Sequence, residues 1–362
     1  MKYKGRGASE NIPNRFADIH VVTDTEEVSF NSDEAALNRI SPSGTPALKT
    51  HVVEIVAKSI ITRNRSPDVP FEQSINVYQG CEHGCAYCYA RASHSYLGLS
   101  PGLEFETRLF AKTNALEVLK QELAKPSYKC KPISLGNNTD AYQPIERSYT
   151  LTRAIAELLM ECKHPLSIVT KSSLVERDLD LYSEMAEQDL VDISISLTTL
   201  DKKLAKQMEP RASSPDSRLR SIERIANAGI PVGVLVAPII PGLNDHEIES
   251  ILSEVKNCGG SVAGYVVLRL PHEVKEVFKQ WLGEYHSDKK NKIMSHVRSF
   301  HGGQEYEATF NKRMRGVGPI ADLVEQRFRV CAQRLGLHGR SSNLRTDLFI
   351  PPSSDHSQLN LF

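Results

Sequence analysis

The sequence predicts an α/β domain built on a parallel sheet, with a polar arm before it and helices after it. Three observations carry this. From Ser74 to Leu268 short apolar runs alternate with amphipathic ones at the spacing of βα units. Hydrophobic residues make up 40% of the 362, enough for a substantial core in one large domain with appendages. The residues up to Pro46 lack any such periodicity, and Ser41-Pro42-Ser43-Gly44-Thr45-Pro46 reads as loop.

Taken in order, the expected strands are Ser74–Tyr78, Ile133–Gly136, Leu166–Thr170, Val191–Leu197, Val232–Ala237 and Ala263–Leu268. Between them lie helical patterns. Thr150 stands as the cap of Leu151–Cys162, where Ile155, Leu158 and Leu159 share a face. Leu174–Gln188, Ser217–Ala228 and Asp245–Asn257 follow; Gly229 ends one helix and Pro231 opens the next strand. His272–Tyr285 and Ala321–Leu335 read as helices of a C-terminal region broken at Gly302-Gly303 and Gly316-Val317-Gly318-Pro319, expected to cover the open side of the domain. The chain thus divides into an arm (1–66), a core (67–285), a helical extension (286–350) and a tail (351–362). Pattern alone leaves an open doubly wound sheet and a barrel as alternatives.

Lys and Arg (44) balance Asp and Glu (44), which argues against a chain that grips polyanions through bulk charge. The charge is uneven, however. Residues 311–345 carry Lys312, Arg313, Arg315, Arg327, Arg329, Arg334, Arg340 and Arg345 against Asp322 and Glu325, a segment suited to phosphates or to a solvated helix face. No run of about 18 apolar residues exists, so no membrane span is expected. No secretory signal opens the chain and its seven cysteines are an odd count; a cytoplasmic location without disulfides is expected.

Cys81, Cys85 and Cys88 stand in Tyr78-Gln79-Gly80-Cys81-Glu82-His83-Gly84-Cys85-Ala86-Tyr87-Cys88-Tyr89. A closed structural metal site takes four protein ligands, whereas a reactive one keeps a position open. Thiolates suit iron–sulfur clusters, and three of them on a 4Fe-4S cluster leave one iron free. The alternative occupant is zinc, with His83 as fourth ligand, although zinc sites usually draw ligands from two separated turns. Cys130, Cys162, Cys258 and Cys331 are scattered and read as buried apolar residues.

The CxxxCxxC spacing with Tyr87 before the last cysteine resembles the signature of the radical S-adenosylmethionine (radical SAM) enzymes. Ser74-Ile75-Asn76-Val77-Tyr78, Asn138-Thr139-Asp140-Ala141-Tyr142-Gln143-Pro144-Ile145-Glu146, Thr170-Lys171 and Met208-Glu209-Pro210-Arg211 resemble the spore photoproduct lyase or "DNA repair photolyase" branch. Lys4-Gly5-Arg6-Gly7-Ala8 and Asn14-Arg15-Phe16 resemble the start of one bacterial subfamily of that branch. The resemblance covers roughly residues 1–340.

The resemblance implies a partial (β/α)6 barrel of the TIM type, with its site at the C-terminal ends of the strands. It implies a 4Fe-4S cluster on Cys81, Cys85 and Cys88, and S-adenosylmethionine chelated to the free iron by its amino and carboxylate groups. One electron, from reduced flavodoxin or ferredoxin, would then split the sulfonium bond into methionine and a 5′-deoxyadenosyl radical that abstracts hydrogen from a substrate, DNA in this branch. Tyr87, Thr139, Asp140, Lys171, Ser196 and Arg211 are the residues expected to bind the cofactor. Thr139 and Asp140 suit its ammonium, though both also favour turns; Lys171 and Arg211 suit its carboxylate, and Arg211 equally a substrate phosphate. Arg211 has an ion pair with Glu209 or a neighbouring acid as its plainer reading. Residues 236–245 are expected against the adenine, with Asn244 alternatively a helix cap; Arg269 after the last strand points to the same face.

The chain departs from the branch where a hydrogen-donating thiol stands at the end of the second strand. Asn137 occupies that place, and an asparagine does not readily donate a hydrogen atom. Cys130 falls before the strand, at its opposite end, so Tyr78, Tyr87, Tyr89 and Tyr142 are the remaining candidates, with packing as the plainer reading of each ring. RNA, protein and small-molecule substrates therefore stay open beside DNA.

The chain ends Gln358-Leu359-Asn360-Leu361-Phe362 after a Pro/Ser-rich linker. This resembles the pentapeptide by which bacterial proteins bind the sliding clamp: Leu359, Leu361 and Phe362 would anchor in an apolar groove while Gln358 sets orientation. A tail folded back on the core is the alternative, and a metal-stabilised adaptor on the clamp is the non-enzymatic reading of the whole chain.

Overall fold

The computed structural model describes residues 3, 5–16, 48–337 and 343–352. Its strands are β1 (His51–Ile55), β2 (Ile61–Arg63), β3 (Gln73–Ile75), β4 (Tyr78–Gln79), β5 (Arg108–Lys112), β6 (Ile133–Leu135), β7 (Leu166–Thr170), β8 (Val191–Ser196), β9 (Val232–Ile239) and β10 (Val262–Val267). Its helices are α1 (Glu104–Thr107), α2 (Ala115–Leu123), α3 (Glu146–Tyr149), α4 (Leu151–Glu161), α5 (Leu179–Ala186), α6 (Lys202–Met208), α7 (Pro215–Asn227), α8 (Ile248–Asn257), α9 (Val274–Tyr285), α10 (Lys290–Phe300) and α11 (Pro319–Arg334).

The main sheet runs β10-β9-β8-β7-β6-β3-β2, parallel throughout except for β2, which pairs antiparallel with β3 at one edge. Its six parallel strands are neighbours in space in the order they occur in the chain. A doubly wound sheet reverses that order at a switch point; this one never does. With right-handed crossovers, every connecting helix then falls on the same face, and the sheet curls inside them. Among the described residues, the two edge strands β2 and β10 are not hydrogen-bonded to each other.

Residue alternation sets the two faces. Ile133, Leu135, Leu166, Ile168, Val191, Ile193, Ile195, Val232, Val234 and Val236 share one core cluster with Leu158, Leu159, Ile222, Ile251 and Leu252 of the outer helices. Most of the intervening residues are small or polar, Val169 and Leu235 being apolar exceptions. Ser74, Ser134, Ser167 and Asp192 stand side by side in register across four strands, and Ser167 Oγ donates to Asp192 Oδ1 at 2.7 Å. Small polar side chains keep the concave face from filling with apolar bulk.

The expected first strand, Ser74–Tyr78, is two strands. β3 belongs to the barrel, whereas β4 joins β1 and β5 in a separate three-stranded sheet, so the cysteine loop leaves from that second sheet. The parallel pairing of β1 with β5 joins residues far apart in sequence and leaves no periodic signal within either segment. Thr150 does not cap α4 with its side chain: it adopts φ 51°, and the carboxylate of Glu146 accepts the Thr152 and Arg153 amides instead. The expected helix Leu174–Gln188 is a 3-10 turn (Ser173–Asp178) followed by α5. Asp245–Asn257 likewise begins with a 3-10 turn before α8.

Two terminal segments close the domain. Val267 N donates to Met314 O and Ala263 N to Leu337 O, so the C-terminal region covers the free edge of β10. Residues 343–352 cross the opposite end of the barrel: Arg345 N donates to Asp189 O, Ile350 N to Cys162 O, and the Phe349 ring packs on Tyr128 and His164. No helix among the described residues is long and apolar enough to cross a membrane. Gln358–Phe362 and Arg340 lie outside the described residues.

Candidate active site

The cysteine loop is held by backbone and side-chain bonds from four directions. Gly80 and Gly84 turn it with φ of 77° and 69°, conformations that favour glycine. Cys81 N donates to Phe105 O at 3.0 Å and Ala86 N to Met208 O at 3.0 Å. From the β6 side, Thr139 Oγ1 donates to Gly80 O at 2.6 Å, while the Gln143 amide donates to Gly80 O and accepts from Glu82 N. From below, Arg91 Nε donates to Cys85 O at 2.9 Å. The Arg91 guanidinium also bonds the Glu106 carboxylate, and both side chains are fully buried.

The fourth direction is the N-terminal arm. Gly7 N and Ala8 N donate to the two oxygens of Glu106 at 3.0 and 2.8 Å. Arg6 reaches Glu106 O, Leu48 O and Thr50 Oγ1. Gly7 lies so close that a Cβ there would stand 1.6 Å from Gly84 O. The glycine in Gly5-Arg6-Gly7 is thus required by close approach of the arm to the loop.

Cys81 and Cys85 are buried and Cys88 is partly so. Burial, with Asp140 and Cys88 nearby, pushes the Cys81 thiol up to about 12, and burial with the Glu209 charge pushes Cys85 well up. Such thiols ionise when a positive centre arrives to share the pocket. Among the described residues no three His, Cys, Asp or Glu side chains are placed to hold a single metal ion. A cubane requires no such convergence, because each thiolate binds a different iron. Zinc would need His83 beside the thiols, but His83 Nδ1 stands 3.3 Å from Asp140 Oδ2. The donor set therefore fits a three-cysteine cluster.

The expected cofactor residues gather at the C-terminal ends of the strands, each with definite partners. Asp140 accepts from Thr170 Oγ1 at 2.7 Å, Lys171 N at 2.8 Å and Tyr142 N at 2.9 Å. Burial alone would raise its pKa, but His83 and these donors outweigh it and hold the carboxyl well below its usual range. Arg211 pairs with Glu82 in the cysteine loop at 2.9 Å rather than with Glu209. Ser196 is buried at the end of β8, where its carbonyl accepts from Arg218. Lys171 Nζ lies 6.0 Å from the Tyr87 ring centroid. Burial opposes its charge, while Cys85 and Glu209 favour it, and the net shift is upward.

Glu209 is the residue around which this group is organised. Its carboxylate accepts from the Tyr87 phenol, Thr198 Oγ1 and Arg218, all buried. Desolvation works against its charge; Arg218, Lys171 and the hydrogen bonds prevail and bring its pKa down to about 2. Its motif, Met208-Glu209-Pro210-Arg211, singled it out in the sequence, but nothing marked Arg218 or the Arg91–Glu106 pair. Asn244 is no helix cap: its amide donates to Thr198 O and Pro238 O and accepts from Ile240 N, fixing the loop after β9.

The tyrosines separate by location. The Tyr78 phenol is tied to Glu146 and the Tyr142 phenol to Asp178 and Tyr182, all in buried networks. Tyr89 is 43% exposed, and its hydroxyl donates to the carbonyl of Asn137. The Asn137 side chain is engaged with Ser134.

A fold of six sequential parallel strands, with a three-thiol loop at their C-terminal ends, defines the architecture of an iron–sulfur radical enzyme. A family model described as the radical SAM superfamily matches residues 75–255. An uncharacterized protein of Mycobacterium tuberculosis is 36% identical over 240 residues, spanning 65% of this chain and 70% of its own. An uncharacterized protein of Methanocaldococcus jannaschii is 30% identical over 208 residues, 58% of this chain and 74% of its own. The solved structure of spore photoproduct lyase complexed with dinucleoside spore photoproduct superposes with a TM-score of 0.56 at 18% identity, covering 78% of this chain and 79% of that one, a likeness of fold. The chain belongs to the radical SAM superfamily. Its cofactors are a 4Fe-4S cluster and S-adenosylmethionine.

Two expected outcomes follow from this geometry. Gly7→Ala forces the arm off Gly84 and loosens the two amide bonds to Glu106, a loss of about 1–3 kcal/mol. The reconstituted variant should retain less iron per chain than the wild type; an unchanged iron content would separate the arm from the site. The lowered pKa of Glu209 means that its charge stabilises the fold above its ordinary value of 4.5 and that this contribution is lost as pH falls from 4.5 to about 2. Glu209→Gln should be less stable at pH 7 by about 3–5 kcal/mol, because Arg218 is left buried and unpaired. Its urea midpoint should also change less than the wild type's between those two pH values.

Proposed function

We propose that this enzyme generates a 5′-deoxyadenosyl radical which abstracts hydrogen from DNA, in repair or base modification. The observation that carries the radical chemistry is the pinned three-cysteine loop at the C-terminal mouth of the barrel. When bound, the cluster supplies the electron that splits S-adenosylmethionine into methionine and that radical, the electron coming from reduced flavodoxin or ferredoxin. The chain's own residues do the rest. Lys171, charged and without an ion-pair partner among the described residues, receives the cofactor carboxylate. Thr139 and Asp140 shape the turn against which its amino group sits: Thr139 is spent on Gly80, and Asp140 orients the Lys171 backbone. Tyr87 and Ser196 line the same space, and Arg211 fixes the loop through Glu82.

The DNA substrate is supported by the sequence motifs shared with the spore photoproduct lyase branch and by the C-terminal pentapeptide. That protein's structure holds a dinucleoside photoproduct. Asn137, in place of a thiol, favours a different return of hydrogen and so a different product. The reaction is of lyase or oxidoreductase type, and a cytoplasmic site of action fits both. The pentapeptide would place the enzyme on a sliding clamp. Residues 343–352 run across the end of the barrel away from the cysteine loop.

Anaerobic reconstitution and reduction should release 5′-deoxyadenosine, and Cys85→Ala should release none. With oligonucleotides deuterated at defined positions, label should pass into 5′-deoxyadenosine; label arriving only from RNA, a protein or a metabolite would move the substrate out of DNA. Deleting Gln358–Phe362 should abolish capture by purified clamp while leaving 5′-deoxyadenosine release intact. Undiminished capture would remove the recruitment role.

A further inference from the structure

Arg269 follows β10 at the mouth of the barrel. Its guanidinium lies over the ring of Tyr89, 5.0 Å from the centroid, and Tyr89 adjoins Cys88. Its Nε is buried without an acceptor. Among the described residues no carboxylate pairs with it. Asp68, which feels its charge, is already committed to Arg313 and to the amide of Asn311. The neighbouring rim adds more positive charge. Met314 O is bonded to Val267 N, which holds residues 310–315 against the end of β10. There Arg313 stacks at 4.6 Å on Phe310, which is 49% exposed, and Lys312 and Arg315 are exposed.

A buried N–H without an acceptor costs free energy, which a ligand oxygen would recover. The planar fork of arginine matches a phosphate or a carboxylate, and stacking on Tyr89 fixes that fork in advance. A carboxylate on the cofactor and a phosphate on the substrate are the two sources of such oxygens at this mouth. Lys171 lies deeper, against Tyr87 and under the influence of Cys85 and Glu209, whereas Arg269 sits on a half-exposed ring beside an exposed basic rim. We propose that Arg269, seated on Tyr89, is the receptor for a phosphate group of the substrate. The inference rests on the nucleic-acid reading above and deepens it to a residue.

The test compares wild type, Arg269→Gln, Arg269→Lys and the control Arg329→Gln, an exposed arginine on α11. Affinity for a single-stranded 12-mer deoxyoligonucleotide is measured by fluorescence anisotropy at several salt concentrations, and retention of S-adenosylmethionine by equilibrium dialysis of the reconstituted protein. Arg269→Gln should weaken oligonucleotide binding roughly tenfold and lower the salt slope by about 0.7. Arg269→Lys should recover the slope with only part of the affinity, since a point charge lacks the fork. Cofactor retention should stay at the wild-type level, and Arg329→Gln should change neither quantity. Loss of cofactor retention with unchanged oligonucleotide binding would make Arg269 the cofactor's carboxylate receptor and overturn the proposal. Equal oligonucleotide binding by Arg269→Gln and wild type would also overturn it. A titration with inorganic pyrophosphate separates the proposal from the reading beneath it. Wild type that binds pyrophosphate through Arg269 but no oligonucleotide would retain the phosphate site and remove DNA; wild type that binds neither overturns both.

Discussion

The buried ion pair of Arg91 and Glu106 is the interaction on which the site depends. Both side chains are removed from solvent, so each carries a desolvation cost that mutual attraction alone does not guarantee to offset. The surrounding backbone offsets the remainder. Glu106 takes the Gly7 and Ala8 amides, and Arg91 gives its other N–H groups to Cys85 O, Pro101 O and Gly102 O. One pair thereby joins the arm, the cysteine loop and the turn before α1, segments that share no regular secondary structure. The fit between Gly7 and Gly84 follows from that attachment.

A second set of buried charges organises the other side of the loop. Glu209, Arg218, Tyr87 and Thr198 satisfy one another where β8 and β9 end, and Glu209 also holds the charge of Lys171. Between the two sets the cysteine loop has little freedom: Thr139 and Gln143 take its first carbonyl, and Met208 O takes the Ala86 amide. A catalytic centre that must present one open iron in a fixed direction gains from such support, because small displacements of a reacting group are costly. The polar motif after β6 thus acquires a physical meaning: Thr139 and Gln143 grip the loop, Asp140 orients Lys171, and Glu146 caps α4 and binds Tyr78.

Much of the barrel was legible because each of its strands is apolar on the face that meets the helices. β7 has the bounds expected of it, and β8, β9 and β10 agree with expectation to within two residues at each end. The first strand was misread because Gln73–Gln79 is a continuous polar–apolar stretch, and only its pairing partners reveal that β3 and β4 belong to different sheets. The helix after β7 was misread as one element because its apolar spacing runs through the 3-10 turn. Thr150 looked like a cap by residue type, yet its backbone is left-handed and a carboxylate four residues earlier does the capping. At the site, cysteine spacing marked the loop, and shared motifs marked Tyr87, Thr139, Asp140, Lys171 and Arg211. Arg91, Glu106 and Arg218 are ordinary charged residues whose part appears only when their partners are known.

By itself the sequence determined the parallel class of the sheet, the bounds of most of its strands and the grouping of three thiols in one loop, since periodicity and ligand spacing are local properties. Periodicity left the barrel to the family resemblance and the strand order to the structure; tertiary structure alone decided that the arm seats on the loop, and that Arg211 pairs with Glu82 while Glu209 pairs with Arg218. It also decided that Arg269 faces the mouth over Tyr89 with an N–H still free. These are contacts between segments distant in the chain, and no local pattern records which buried charge will meet which.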